Sequence, residues 1–273
     1  MRNKNRYEEI IEAIFRDHFV SKGEPEFCFG RDEIERQAKK LGIKLPKNLG
    51  DLIYSFRYRT ELPMWIRQQA GEGREWVIGP AGRGRYRFAC VGSGRSRIEP
   101  RPLAPEIKIP DATPGIIAKY ALSDEQALLA RVRYNRLLDI FCGVAAYPLQ
   151  SHLRSYVPQM GQVETDEVYV GIHRCGAQYV FPVQAKGKKD KLSLIQIEQD
   201  LALCNLRFPD LICRPIGAQF LRDNGIVLFE FREMEGSVKL IAEEHYRLVP
   251  PDQVTPDDLK SYAALVGKEV VSR

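Results

Sequence analysis

Residues 161–191 constrain the fold of this 273-residue chain more than any other stretch: GQVETDEVYVGIHRCGAQYVFPVQAKGKKDK. Val168, Val170 and Ile172 form one alternating apolar run, and Tyr179, Phe181 and Val183 form a second. A period of two marks a half-buried strand. Residues 173–177, with Gly176 among them, supply the reversal between the runs. The stretch therefore predicts a β-hairpin whose acidic start (Glu164, Asp166, Glu167) lies near the end of the partner strand, Gln184-Ala185-Lys186.

The spacing carries chemistry. Glu164 and Asp166 are two residues apart, so on a strand they share a face, as do Gln184 and Lys186. If the hairpin closes in this register, oxygen ligands converge beside one lysine. Metal-assisted hydrolysis of a phosphodiester needs that set: carboxylates to hold Mg2+, and a lysine to orient water or offset developing charge. Acidic strand starts and lysines past a strand end are also ordinary solvated termini. The catalytic reading rests on agreement between the pair of faces, the hairpin and a basic preceding segment.

Asp166 followed by Gln184-x-Lys186 resembles the PD-(D/E)xK nuclease superfamily, restriction-endonuclease-like and Mrr-like, in the variant where glutamine replaces the acid before x-Lys. The resemblance covers residues 123–205. It implies an α/β fold with a mixed-sheet restriction-endonuclease-like core, Mg2+ as cofactor and DNA as substrate. By the same resemblance Asp166, Glu164, Gln184 and the Ala185 carbonyl hold the metal, and Lys186 positions the attacking water. No proline precedes Asp166, and Gln184 carries no charge, so Glu164 is the residue expected to compensate. Many such nucleases add a glutamate from a preceding helix. Glu125 occupies that place, where an acid in a first helical turn also simply favours the helix dipole.

Net charge is +5, and it is unevenly placed: residues 1–113 hold 22 Lys and Arg against 16 Asp and Glu, the remainder 19 against 20. A basic excess in the first part suits a phosphate-binding module. Apolar residues at i, i+3 and i+4 spacing predict helices over residues 5–19, 31–41 and 49–59, with Asn48 as an N-cap. Two strands follow, residues 75–79 and 85–91, joined by residues 80–84. This order looks like a small winged-helix (α+β) domain over residues 1–95, with the third helix in the major groove. Arg57, Tyr58 and Arg59 are then candidate DNA contacts, with Arg83, Arg85 and Arg87 along the wing. Trp65, Trp76 and Phe88 read as core.

Residues 96–114 are rich in proline and read as a stiff linker. Residues 115–273 form the nuclease-like domain. Its expected helices span residues 124–141, with Ser123 as N-cap and Gln126 completing a capping box, residues 148–156, and residues 192–206. Further strands are expected over residues 211–220, 226–232 and 238–242, and a short helix ends the chain at residues 257–265. A right-handed crossover joins strands around the third helix. Lys188 and Lys189 lie in a basic loop beside the proposed site. The six cysteines are dispersed, without C-x-x-C, which argues against zinc spacing and a disulfide scaffold. No signal-peptide pattern opens the chain and no apolar run reaches membrane length, so the expected location is cytoplasmic, with no membrane partner.

The expectation is a Mg2+-dependent endodeoxyribonuclease of restriction type, acting on double-stranded DNA as a homodimer. A cognate methyltransferase in the same system is a further implied partner. Two rivals stand beside it: a catalytically inert DNA-binding regulator with a nuclease-like fold, suggested by Gln184, and an RNA-processing or interaction protein.

Overall fold

The computed structural model describes residues 6–19, 25–94, 97–120, 124–188, 190–221, 223–234 and 237–271. The protein is mixed α/β and divides into two compact units. The first comprises Met1–Glu99, His152–Thr165 and Asp190–Pro209; the second comprises Pro100–Ser151, Asp166–Lys189 and Asp210–Arg273. Among the described residues no helix is long and apolar enough to cross a membrane.

The first unit opens with α1 (Arg6–His18), β1 (Glu26–Gly30), α2 (Arg31–Leu41), α3 (Leu49–Tyr58), α4 (Met64–Gln68), β2 (Arg74–Pro80) and β3 (Arg85–Gly92). The apolar stripe of α1 is buried as its spacing requires: Ile10, Ile11, Ile14 and Phe15. The Phe15 ring meets Trp76 and Phe88 edge-on, with centroids 4.9 and 5.0 Å away. Glu33 reaches back to accept from the Gly30 N–H at 3.0 Å, and Gly42 ends α2 with a φ of 66°. Asn48 caps α3, accepting from the Gly50 N–H at 3.0 Å. The strands form a sheet in the order β1-β3-β2. Strand β1 and helix α4 were not expected from the sequence.

The second unit begins with β4 (Glu106–Pro110), α5 (Gly115–Tyr120), α6 (Glu125–Tyr134), α7 (Leu137–Cys142), β5 (Ala145–Val157), β6 (Gly161–Ile172) and β7 (Gln178–Lys186). The distal ends of β5 and β6 belong to the first unit, as does α8 (Leu194–Arg207). The chain ends with β8 (Ile212–Cys213), β9 (Ile216–Phe220), β10 (Ile226–Met234), β11 (Ser237–Val249) and α9 (Pro256–Val271). The large sheet runs β4-β11-β10-β9-β7-β6-β5, with β8 beside β7. Strand pairs β7–β9 and β4–β11 are parallel; β6–β7, β9–β10 and β10–β11 are antiparallel. Leu128, Leu129 and Val132 of α6 and Leu137 and Leu138 of α7 pack with Phe181, Val183, Ala185, Ala218 and Leu228 in its core.

The hairpin forms as its period predicts. The β6–β7 ladder runs through Gly171↔Tyr179 and Val170↔Val180, and Gly176 takes a φ of 87° in the turn. Other expectations are corrected. Residues 106–110, placed in the linker for their prolines, pair with β11. Residues 148–156 are strand, not helix: Pro148 lies on β5, the last strand of the order, where a missing N–H is tolerated. The helix expected to reach residue 141 breaks at Arg136, which has a φ of 49°. Its cap is Asp124, accepting from the Ala127 N–H at 3.0 Å, whereas Ser123 lies outside the described residues. The strand expected over residues 211–220 is interrupted at Arg214 and Pro215.

Arg214 holds this interruption in place. Its guanidinium donates to both carboxylate oxygens of Glu230, at 2.7 and 2.6 Å, and to the Cys142 carbonyl at 3.2 Å. It also lies 5.5 Å from the ring centroids of Tyr179 and Phe181. Burial pushes the neighbouring Cys142 thiol up to about 12, so it stays protonated. Removing one partner of a buried pair strands the other charge, at a cost of about 3–5 kcal/mol. Arg214→Ala is expected to lose about that much in urea unfolding followed by circular dichroism. Arg214→Lys recovers only part, because an ammonium cannot make the two-pronged contact.

Candidate active site

Strand β7 lies between β6 on one side and β8 and then β9 on the other. Its ladder with β6 reaches Glu167↔Val183, while its ladder with β9 begins at Val183↔Ile216 and continues to Lys186↔Gln219. Asp166 lies one step past the last β6–β7 pair. There the Ala185 N–H donates to Oδ2 of Asp166 at 2.9 Å. A side-chain carboxylate thus serves a backbone donor of β7 at the point where pairing ends.

Alternation puts Gln184 and Lys186 on one face of β7, and both are buried. The Lys186 ammonium, its side chain 4% exposed, sits 3.4 Å from Oε1 of Glu125 in the first turn of α6. A lysine buried to this degree needs an acid beside it. Asp166, Ala185, Lys186 and Glu125 therefore form one connected group in the second unit. Glu125, which the sequence offered two readings, faces the lysine. Gln219, in register with Lys186, presents a buried Oε1 with no hydrogen-bond partner.

The oxygen groups here are of the kind Mg2+ accepts. Asp166, Glu125 and the amide oxygen of Gln184 are hard oxygen ligands, and Mg2+ commonly takes one or two carboxylates plus water and phosphate oxygens. Among the described residues no three His, Cys, Asp or Glu side chains converge as a metal cluster. The set is thus poorer in charge than a three-acid site, as the glutamine at position 184 dictates.

The other sequence candidates fall elsewhere. Glu164 belongs to the first unit, where its carboxylate takes Arg154 at 2.9 Å and His152 at 3.3 Å. Glu167 is buried and committed: Arg133 donates to it, Tyr169 donates at 2.7 Å and Ser151 at 3.4 Å. Burial raises the Tyr169 phenol, with Arg133 opposing that shift. Lys188 donates to Asn224 at 2.7 Å, and Lys189 lies outside the described residues. In the first unit, Tyr58 donates to Gln199 at 3.3 Å, Arg59 lies over Tyr54 at 5.1 Å, and Arg87 pairs with Glu26 at 2.9 Å. Arg57, Arg83 and Arg85 line one cavity.

No family model, curated protein or solved structure matches this chain.

Sequence reasoning missed Arg133 and Gln219. Arg133 carried no signal, because its partner lies 34 residues away. Gln219 sat inside an apolar strand pattern, and an uncharged polar residue there was the available hint.

Neighbouring acids should respond differently to substitution. Glu167→Ala leaves the half-exposed Arg133 and the buried Tyr169 hydroxyl without their acceptor, and is expected to cost about 2–4 kcal/mol in thermal unfolding. Asp166→Asn keeps an oxygen for the Ala185 N–H and should change stability by less than about 1 kcal/mol. Equal losses from the two would contradict this division of labour.

Proposed function

We propose that this protein is a metal-dependent endonuclease acting on DNA, with Asp166, Lys186 and Glu125 at its centre. The observation that carries the reading is the buried Lys186 ammonium, 3.4 Å from Glu125 and adjacent to the Ala185 N–H that Asp166 binds. The resemblance to PD-(D/E)xK nucleases through Asp166 and Gln184-Ala185-Lys186 supports the same reading.

Asp166, Glu125 and Gln184 would hold the metal, which when bound polarises the scissile phosphate and lowers the pKa of a bound water. Lys186 directs its ammonium at the attacking water or the phosphate oxygen that gains charge. Glu125 orients that lysine. The first unit's helices and hairpin read as a winged helix, with Arg57, Arg83 and Arg85 available to duplex phosphates. A double-strand break needs two such sites related by a dyad, so the protein would act as a homodimer.

Gln184 favours one other reading, an inert DNA-binding regulator on the same fold. Lys186→Ala separates the two. Under the nuclease reading it lowers single-turnover cleavage of plasmid DNA in Mg2+ by roughly 10²–10³ while DNA binding persists. Cutting at the wild-type rate would remove the hairpin from the chemistry. Wild-type binding with no cutting in Mg2+, on methylated or unmethylated DNA, would favour the regulator.

Sedimentation with a short duplex tests the assembly. Two chains per duplex are expected, and one chain per duplex would instead indicate nicking of single strands.

A further inference from the structure

The first unit contains a cavity of about 1080 Å³, formed where α2 and α3 meet the β2–β3 turn and residues 156–162. Four arginines line it: Arg31, Arg57, Arg83 and Arg85. Among its described lining residues there is no acid. Three tyrosines, Tyr54, Tyr86 and Tyr156, complete the wall.

The arginines are not spent on one another's neighbours. Arg83 and Arg85 are exposed, and among the described residues neither has an acidic partner. Arg57 is the sharper case. Its Nε and Nη2 are shielded from water and have no hydrogen-bond acceptor, although the guanidinium lies 5.5 Å from the Tyr86 ring centroid. A shielded cation without an acceptor is costly. What shields these two nitrogens from water shields them from a ligand oxygen as well, so Arg57 gives the cavity wall its charge and not these two donors. Arg31 donates to the Tyr86 hydroxyl at 3.4 Å.

Charge alone would suit any phosphate. The tyrosines narrow the ligand. Tyr54 and Tyr156 are 41% and 56% exposed, Arg59 lies over the Tyr54 ring at 5.1 Å, and every nucleobase offers a π-face to an aromatic ring. The volume lies just above the roughly 300–1,000 Å³ of small-molecule pockets, ample for one nucleotide and too small to enclose a duplex. Gly82, Gly84 and Gly161 add no side chain to the wall, and the first takes a φ of 103°.

We propose that this cavity binds a single unpaired nucleotide, its phosphate on the arginines and its base against the tyrosines. The inference does not need the chemistry proposed for Asp166 and Lys186, although Arg57, Arg83 and Arg85 are also the residues offered above to duplex phosphates. The ligand is a free nucleotide or an unpaired nucleotide within nucleic acid; the chemistry is common to both.

Calorimetry on the full chain tests it with three probes: thymidine 5′-monophosphate, thymidine and inorganic phosphate. The monophosphate is expected to bind about tenfold more tightly than either fragment. Arg57→Met and Tyr54→Ala should each weaken it by about tenfold, and the exposed Arg83→Ala should weaken it without risk to the core. Lys186→Ala should leave this binding unchanged while removing cleavage, so the two proposals fail separately. A duplex carrying a one-nucleotide bulge, compared with its fully paired counterpart, identifies the source. A gain for the bulge that Arg83→Ala abolishes assigns the site to nucleic acid; tight monophosphate binding without that gain assigns it to a free nucleotide. The proposal is overturned if the monophosphate binds no better than inorganic phosphate, or if Arg83→Ala and Tyr54→Ala both bind like wild type.

Discussion

The bond between the Asp166 carboxylate and the Ala185 N–H is the contact on which the candidate site depends. Strand β7 lies between β6 and β9, but its two ladders do not end together. It pairs with β6 only as far as Val183 and with β9 as far as Lys186. A donor freed from a ladder must find another acceptor. Asp166 supplies one, which holds a carboxylate at the end of β7, beside the residue that carries the ammonium. The acid is thus placed by the geometry of a strand losing its partner.

The same alternation separates Asp166 from Glu167. Adjacent residues on a strand face opposite ways. Glu167 turns into a buried network with Arg133 and Tyr169, where its charge is matched and its oxygens are used. Asp166 is only half-buried. Two acids side by side in sequence therefore have different surroundings, one holding the unit together and one left near water.

Much of the architecture was legible where a period or a cap repeats locally. The stripe of α1, the Asn48 cap and the Val168–Ile172 and Tyr179–Val183 runs all depend on neighbours within a few residues. The failures share a cause. Glu106-Ile107-Lys108-Ile109 does alternate, but the surrounding prolines outweighed it, and its partner on β11 lies far along the chain. Strand β5 faces mostly outward, so burial imposes no period on it. The Glu125–Lys186 contact spans 61 residues, and no local pattern announces such a pair. Glu164 illustrates the reverse: its spacing from Asp166 was read correctly, but its carboxylate is engaged by Arg154 and His152, on which the spacing was silent.

The first unit is assembled from three separate stretches of chain, the last ending at Pro209. During synthesis its residues up to Glu99 emerge well before residues 152–165 and 190–209. A cavity whose wall includes Tyr156 and Gln162 cannot close until those later stretches leave the ribosome. Completion of the arginine-lined cavity is therefore tied to translation of the intervening strands, and a nascent chain halted near residue 100 would carry its basic surface without the pocket that shapes it.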